Sequence, residues 1–192
     1  MIYPFLKNGK DNIMEKINEK KINVKKVNVK KLAVCGAFAA VATIGSLFSF
    51  PMLGSKCSPV QHMVNVLCAV LLGPWWGLGC AFVTSVLRNA FGLGTLFAFP
   101  GSMCGALLSG LLYKAIKKLP AAYIGEVFGT GIIGGMLCYP VALYLMGNSS
   151  ATLFAFVGPF LISTCGGTIL AAILTLALSG TGSLQRMKDM LE

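Results

Sequence analysis

Acidic residues are scarce: the 192-residue chain holds six, and between Lys20 and Lys188 only Glu126 remains. Histidine is scarcer still, with His62 alone. Charged residues of either sign make up 11% of the chain against 56% hydrophobic, and the mean hydropathy is +0.77, which lies outside the range of soluble globular domains. The sequence has no GxxxxGK[ST] phosphate loop, no HExxH run, no aspartate pair and no CxxC pair. Those absences argue against an ATPase within this chain, a zinc hydrolase, an aspartyl enzyme and a dithiol or metal centre. Ser102 has no base evident in the sequence. The chain is therefore read as a non-enzyme without metal or cofactor.

Basic residues are concentrated in one place. The net charge is +10, but nine of the sixteen basic residues are lysines between Lys7 and Lys31. Local charge explains the basicity, and no nucleic-acid partner is implied. Residues 1–31 have no continuous apolar core and no small-residue cleavage site, so they do not read as a secretory signal. They are expected to form a cytosolic arm, either disordered or lying on anionic lipid as an amphipathic helix.

Long apolar runs fill the chain beyond Lys31. Windows of about 20 residues suit a helix crossing the hydrocarbon core, and six are expected near 32–50, 60–73, 75–91, 96–116, 121–146 and 151–179. The fold class is an all-α integral membrane protein, a bundle of about six transmembrane helices over 32–182, with a cytosolic tail at 183–192. Lysine and arginine bias loops to the cytosol. The arm, the Lys114/Lys117/Lys118 cluster and Arg186/Lys188 then share the inner side, both termini are cytosolic, and the 51–60 loop faces outward. Trp75 and Trp76, after the Gly73-Pro74 turn, read as an interfacial aromatic belt. Six cysteines lie in apolar stretches as packing residues. Cys57, in a polar loop, is the candidate for reactivity.

An ionisable group within a bilayer is costly and marks a ligand or ion path. Gln61, His62 and Asn65 cluster at the outer start of the second span, with Gln61 and Asn65 on one helical face. Arg88 and Asn89 lie near the outer end of the third. A small polar ligand gripped between them is one reading; the other is that His62 and Asn65 satisfy each other while Arg88 snorkels to headgroups. Pro100-Gly101, inside the run Gly92–Met103, is expected to break or kink the start of the fourth span. Thr95, Phe99 and Ser102 would line the same cavity, Phe99 offering an aromatic face. Glu126, early in the fifth span, is expected near the cytosolic end and far from Arg88. Ala33, Ala37 and Ala40, with Gly36, form a smooth stripe on the first span that permits close helix approach, internal or to a separate subunit.

The strings PVQHMVNVL, LLGPWW, SVLRN, GTLFAFPGSMCGALLSGLLY and GEVFGTGIIGG resemble the ThiW family, the substrate-binding S components of energy-coupling factor (ECF) importers. The likeness is densest from Pro59 to Pro140 and looser over Leu32 to Gly180. It implies a six-helix protein of the bacterial plasma membrane that captures the thiamine precursor hydroxyethylthiazole from outside, with loops closing over it. It also implies partners: a transmembrane T component whose coupling helices meet the Ala33/Ala37 stripe, and two cytosolic ATPases. The S component would topple in the membrane to release its cargo. For such a ligand, Arg88 or Asn65 would meet the hydroxyl, His62 or Gln61 the ring nitrogen, and Phe99 would stack. A stand-alone proton-coupled carrier using His62 and Glu126 is the rival.

Overall fold

The computed structural model describes residues 28–52 and 55–191; the lysine arm up to residue 27 lies outside them. Asn28 caps the first helix, α1 (Val29–Gly45), its side chain accepting from the Lys31 amide, as short polar side chains do at helix starts. A 3₁₀ turn, Ser46–Phe48, extends α1. The 51–60 segment is not a plain loop: β1 (Phe50–Met52) and β2 (Ser55–Cys57) pair antiparallel, Phe50 opposite Cys57.

Helices α2 (Pro59–Leu71) and α3 (Pro74–Ala90) each begin on proline, whose missing N–H costs nothing there. Gly73, at φ 89°, makes the tight turn between them. Helix α4 runs Ala98–Ile116 and ends on Lys117 in the left-handed region, φ 57°, where glycine is usual. Pro100 is the third residue of α4, a place where the helix needs no N–H from it. The expected break at Pro100 is therefore absent.

Irregularity lies instead in α5 (Leu119–Leu145), which widens to π geometry over Val127–Gly134 and again over Val141–Leu145. Helix α6 spans Val157–Gly180. The tail residues form a seventh helix, α7 (Ser183–Leu191), which buries Leu184 and Leu191. Its last carbonyls are held by the other end of the bundle's chain: Asn28 Nδ2 donates to Leu191 O at 3.3 Å and Lys30 Nζ to Met190 O at 2.9 Å.

Helix α2 is the hub. It touches α1, α3, α4, α5 and α6, and every residue from Val64 to Leu72 is buried, as an all-round apolar helix requires. At 13 residues it rises only about 20 Å. The outer helices expose apolar faces instead: Ile162, Ile169, Ile173 and Leu176 on α6 are all more than half exposed. Such a surface suits acyl chains. The span Val29–Phe48 and helices α5 and α6 are long and apolar enough to cross a membrane, and the protein is an all-α membrane bundle of six spans.

Glycines set how closely α4 and α5 approach. A Cβ on Gly125 would lie 2.6 Å from Ser109 Cα, one on Gly129 2.7 Å from Cys104 O, and one on Gly134 2.7 Å from Gly101 Cα. Backbones can meet this tightly only where side chains are absent.

Candidate functional site

The bundle closes around Glu126, which is fully buried. Its Oε1 accepts from Asn65 Nδ2 at 3.0 Å and Thr130 Oγ1 at 2.9 Å and lies 2.9 Å from His62 Nδ1. Asn65 also donates to Ser102 O at 3.2 Å, which ties α2 to α4 through the same amide. Three side chains meeting on one oxygen tie α2 to α5 through the Glu126 carboxyl group. The π geometry begins directly after Glu126, and Thr164 Oγ1 from α6 donates to the Glu126 carbonyl at 3.4 Å. Wide turns of this kind are enriched at functional sites. Gly105 on α4 provides the room: a Cβ there would overlap Thr130 Oγ1 and lie 2.8 Å from both carboxylate oxygens.

Glu126 therefore does not stand apart. The expectation that it sits near the cytosolic end is corrected by its bond to His62 in the first turn of α2.

Next to this node, at the hairpin end of the bundle, is a small cavity of about 20 Å³, room for roughly one water. The hairpin contributes Lys56 and the following Ser58, α2 contributes Gln61 and His62, and α3 contributes Arg88. Thr95 comes from the α3–α4 loop, Ala98 and Ser102 from α4, and Phe160 from α6. Two polar atoms in these walls, Gln61 Nε2 and Arg88 Nε, are buried without a hydrogen-bond partner among the described residues. Buried N–H donors are seldom left so, because each forfeits its hydration. Lys56 Nζ donates to Gly92 O at 2.9 Å, which latches the hairpin to the α3–α4 loop over the cavity.

The structure brings Gln61, His62, Arg88, Thr95 and Ser102 to this one cavity. It places three other candidates elsewhere. Asn65 sits behind His62, holding Glu126. Asn89 Nδ2 donates to Ser85 O at 2.8 Å and Thr95 O at 3.1 Å, shaping the loop. Phe99 packs against Phe82, ring centroids 5.8 Å apart, and the aromatic wall comes instead from Phe160. A Cβ on Gly101 would overlap the Phe160 ring, so the bare glycine makes room for it.

Cys57 is buried, and its thiol donates to Pro159 O at 3.4 Å. Burial pushes its pKa up, which opposes thiolate chemistry and corrects its reading as a reactive residue. Of the stripe, Ala33, Ala37, Ala40 and Gly36 are all exposed, and a Cβ on Gly36 would meet nothing within 4 Å. The stripe does not pack internally among the described residues. No group of three or more metal-ligating side chains occurs among them.

Residues 32–181 match the family model described as thiamine-precursor transporter protein (ThiW). Among solved structures, the chain is similar to the S component of a bacterial ECF transporter, with a TM-score of 0.65 at 21% sequence identity, over 79% of this chain and 96% of that one. At that identity the likeness carries the fold alone. No curated protein matches.

Proposed function

The chain belongs to the ThiW family of thiamine-precursor transporter proteins, and from that premise we propose that it is the substrate-binding S component of an ATP-driven importer for hydroxyethylthiazole. The observation that carries this reading is the pair of unpartnered donors, Gln61 Nε2 and Arg88 Nε, in the walls of one cavity. Hydroxyethylthiazole presents two complementary acceptors, the ring nitrogen and the hydroxyl oxygen, on a flat apolar body. Phe160 supplies a face for the ring, and His62, fixed by Glu126, supplies a further polar edge. In this reading the hairpin end faces outward and the lysine-bearing end, with both termini, faces the cytosol of a bacterial cell.

The exposed Ala33/Ala37/Ala40 stripe is the surface on which a T component would dock, since a partner helix can approach small side chains closely. Two ATPases on that partner would supply the hydrolysis for which this chain has no motif.

Calorimetry on detergent-purified protein tests the ligand. Hydroxyethylthiazole is expected to bind more tightly than thiamine, as the family's description as a thiamine-precursor transporter suggests; equal or stronger thiamine binding sinks the thiazole assignment. Co-purification of a T component and two ATPases with the tagged chain tests the assembly. The buried His62–Glu126 pair also suits a proton-coupled carrier. Proton-driven uptake by the reconstituted protein alone would favour that second reading.

Aromatic contact is separable from the hydrogen bonds. Phe160→Ala is expected to weaken hydroxyethylthiazole binding by about ten-fold, in line with an aromatic pair of roughly 0.5–1.5 kcal/mol plus lost burial. Phe99→Ala should leave affinity within about two-fold, because the ring faces Phe82. Titrations of both variants decide between the two rings.

A further inference from the structure

At the opposite end of the bundle from the hairpin lies a second, much larger cleft of about 680 Å³. Its walls are apolar and aromatic, with Val70, Leu71, Trp75 and Trp76 from the α2–α3 corner and Tyr113 from α4. Its rim is basic: among the described residues Lys31, Lys114, Lys117 and Lys188 line it, and no acidic side chain does. Lys188 is occupied, donating to Tyr113 OH with its ammonium 5.0 Å from the ring centroid. Lys114 and Lys117 are exposed, and the left-handed backbone of Lys117 fixes where that side chain leaves the helix end.

We infer that this cleft binds an anionic phospholipid, its phosphate held by the lysine rim and its acyl chains lying against the tryptophan wall. Three observations select that occupant. The cleft sits where α2 and α4 end and α3 begins, which is the depth of the headgroups for a six-span bundle. Trp75, at the mouth, is 70% exposed, a position suited to the interface between headgroup and acyl chain. Among the described residues the charge is of one sign, and basic pockets between membrane helices select anionic headgroups over zwitterionic ones. A soluble phosphate compound would match the rim and leave the apolar walls unused. An acidic protein segment would match the rim without needing a cleft open at membrane depth.

The chain's composition supplies the probe, since Trp75 and Trp76 are its only tryptophans and both line this cleft. Full-length protein in phosphatidylcholine liposomes is titrated with brominated phosphatidylglycerol or brominated phosphatidylcholine, and tryptophan quenching is followed. Phosphatidylglycerol is expected to quench at a mole fraction about five-fold lower. The triple variant Lys31→Gln/Lys114→Gln/Lys117→Gln should lose that preference while its calorimetric hydroxyethylthiazole affinity stays at wild type, which separates this site from the proposed substrate site. Equal quenching by both lipids in the wild type, or a preference that survives in the variant, overturns the proposal. So does displacement of the brominated lipid by millimolar glycerol phosphate, which would identify a soluble phosphate compound as the ligand.

Discussion

Glu126→Ala is expected to destabilise the protein by at least about 1–3 kcal/mol, the cost of leaving a buried polar group without its partner. The carboxyl group is the common partner of His62, Asn65 and Thr130, so its loss removes one hydrogen bond from each of three buried side chains. Glu126→Gln should cost less, because a carbonyl oxygen remains to accept the bonds from Asn65 and Thr130. Thermal unfolding in detergent, followed by loss of the folded peak in size exclusion, measures both. Hydroxyethylthiazole affinity should fall in Glu126→Gln as well, since the His62 ring loses the carboxyl group that fixes its orientation. A Gln variant with wild-type melting and wild-type affinity would show that the node has no role in shaping the site.

Arg88→Ala separates function from folding in the opposite direction. Its Nε is buried without a partner, and a hydrogen bond from a charged group contributes about 1.5–3 kcal/mol. Binding of hydroxyethylthiazole is therefore expected to weaken by roughly ten- to a hundred-fold. Stability should hold or rise, because the substitution removes a buried guanidinium whose desolvation is poorly repaid. Arg88→Lys should not restore affinity, since an ammonium lacks the planar donor fork. Calorimetry and melting curves on the same preparations check the pair of outcomes; retained affinity with reduced stability would make Arg88 a structural residue.

The six spans were legible because bilayer thickness imposes a length on apolar runs, and the expected windows fall on helices α1 to α6. The polar cluster was legible through rarity: His62, Gln61 and Arg88 stand out where few polar residues occur. The depth of Glu126 was hidden for a geometric reason. A second span of full membrane thickness would keep His62 far from the opposite end of the bundle, but α2 has 13 residues. His62 is about 14 Å from the far end of α2, and Glu126 about 11 Å into α5 from that same side. The two residues meet at one depth, and nothing local to either records that. Phe160 could not be found from the sequence because it belongs to α6, some 60 residues beyond the cavity's other aromatic candidate, and only the tertiary fold brings it in. Helix α7 has few apolar residues, and it is the buried Leu184 and Leu191 that reveal it as docked.

The Lys56–Gly92 latch has a kinetic consequence. Under the proposed function, with the hairpin tied across a cavity that holds about one water, a ring-sized ligand would enter only with the latch open, and the observed association rate would be the open fraction multiplied by an intrinsic encounter rate. Affinity and speed then respond to different residues. Cutting the Lys56 bond, as in Lys56→Met, would accelerate both entry and escape, so that the time a captured molecule stays bound is set by one hydrogen bond on an exposed hairpin.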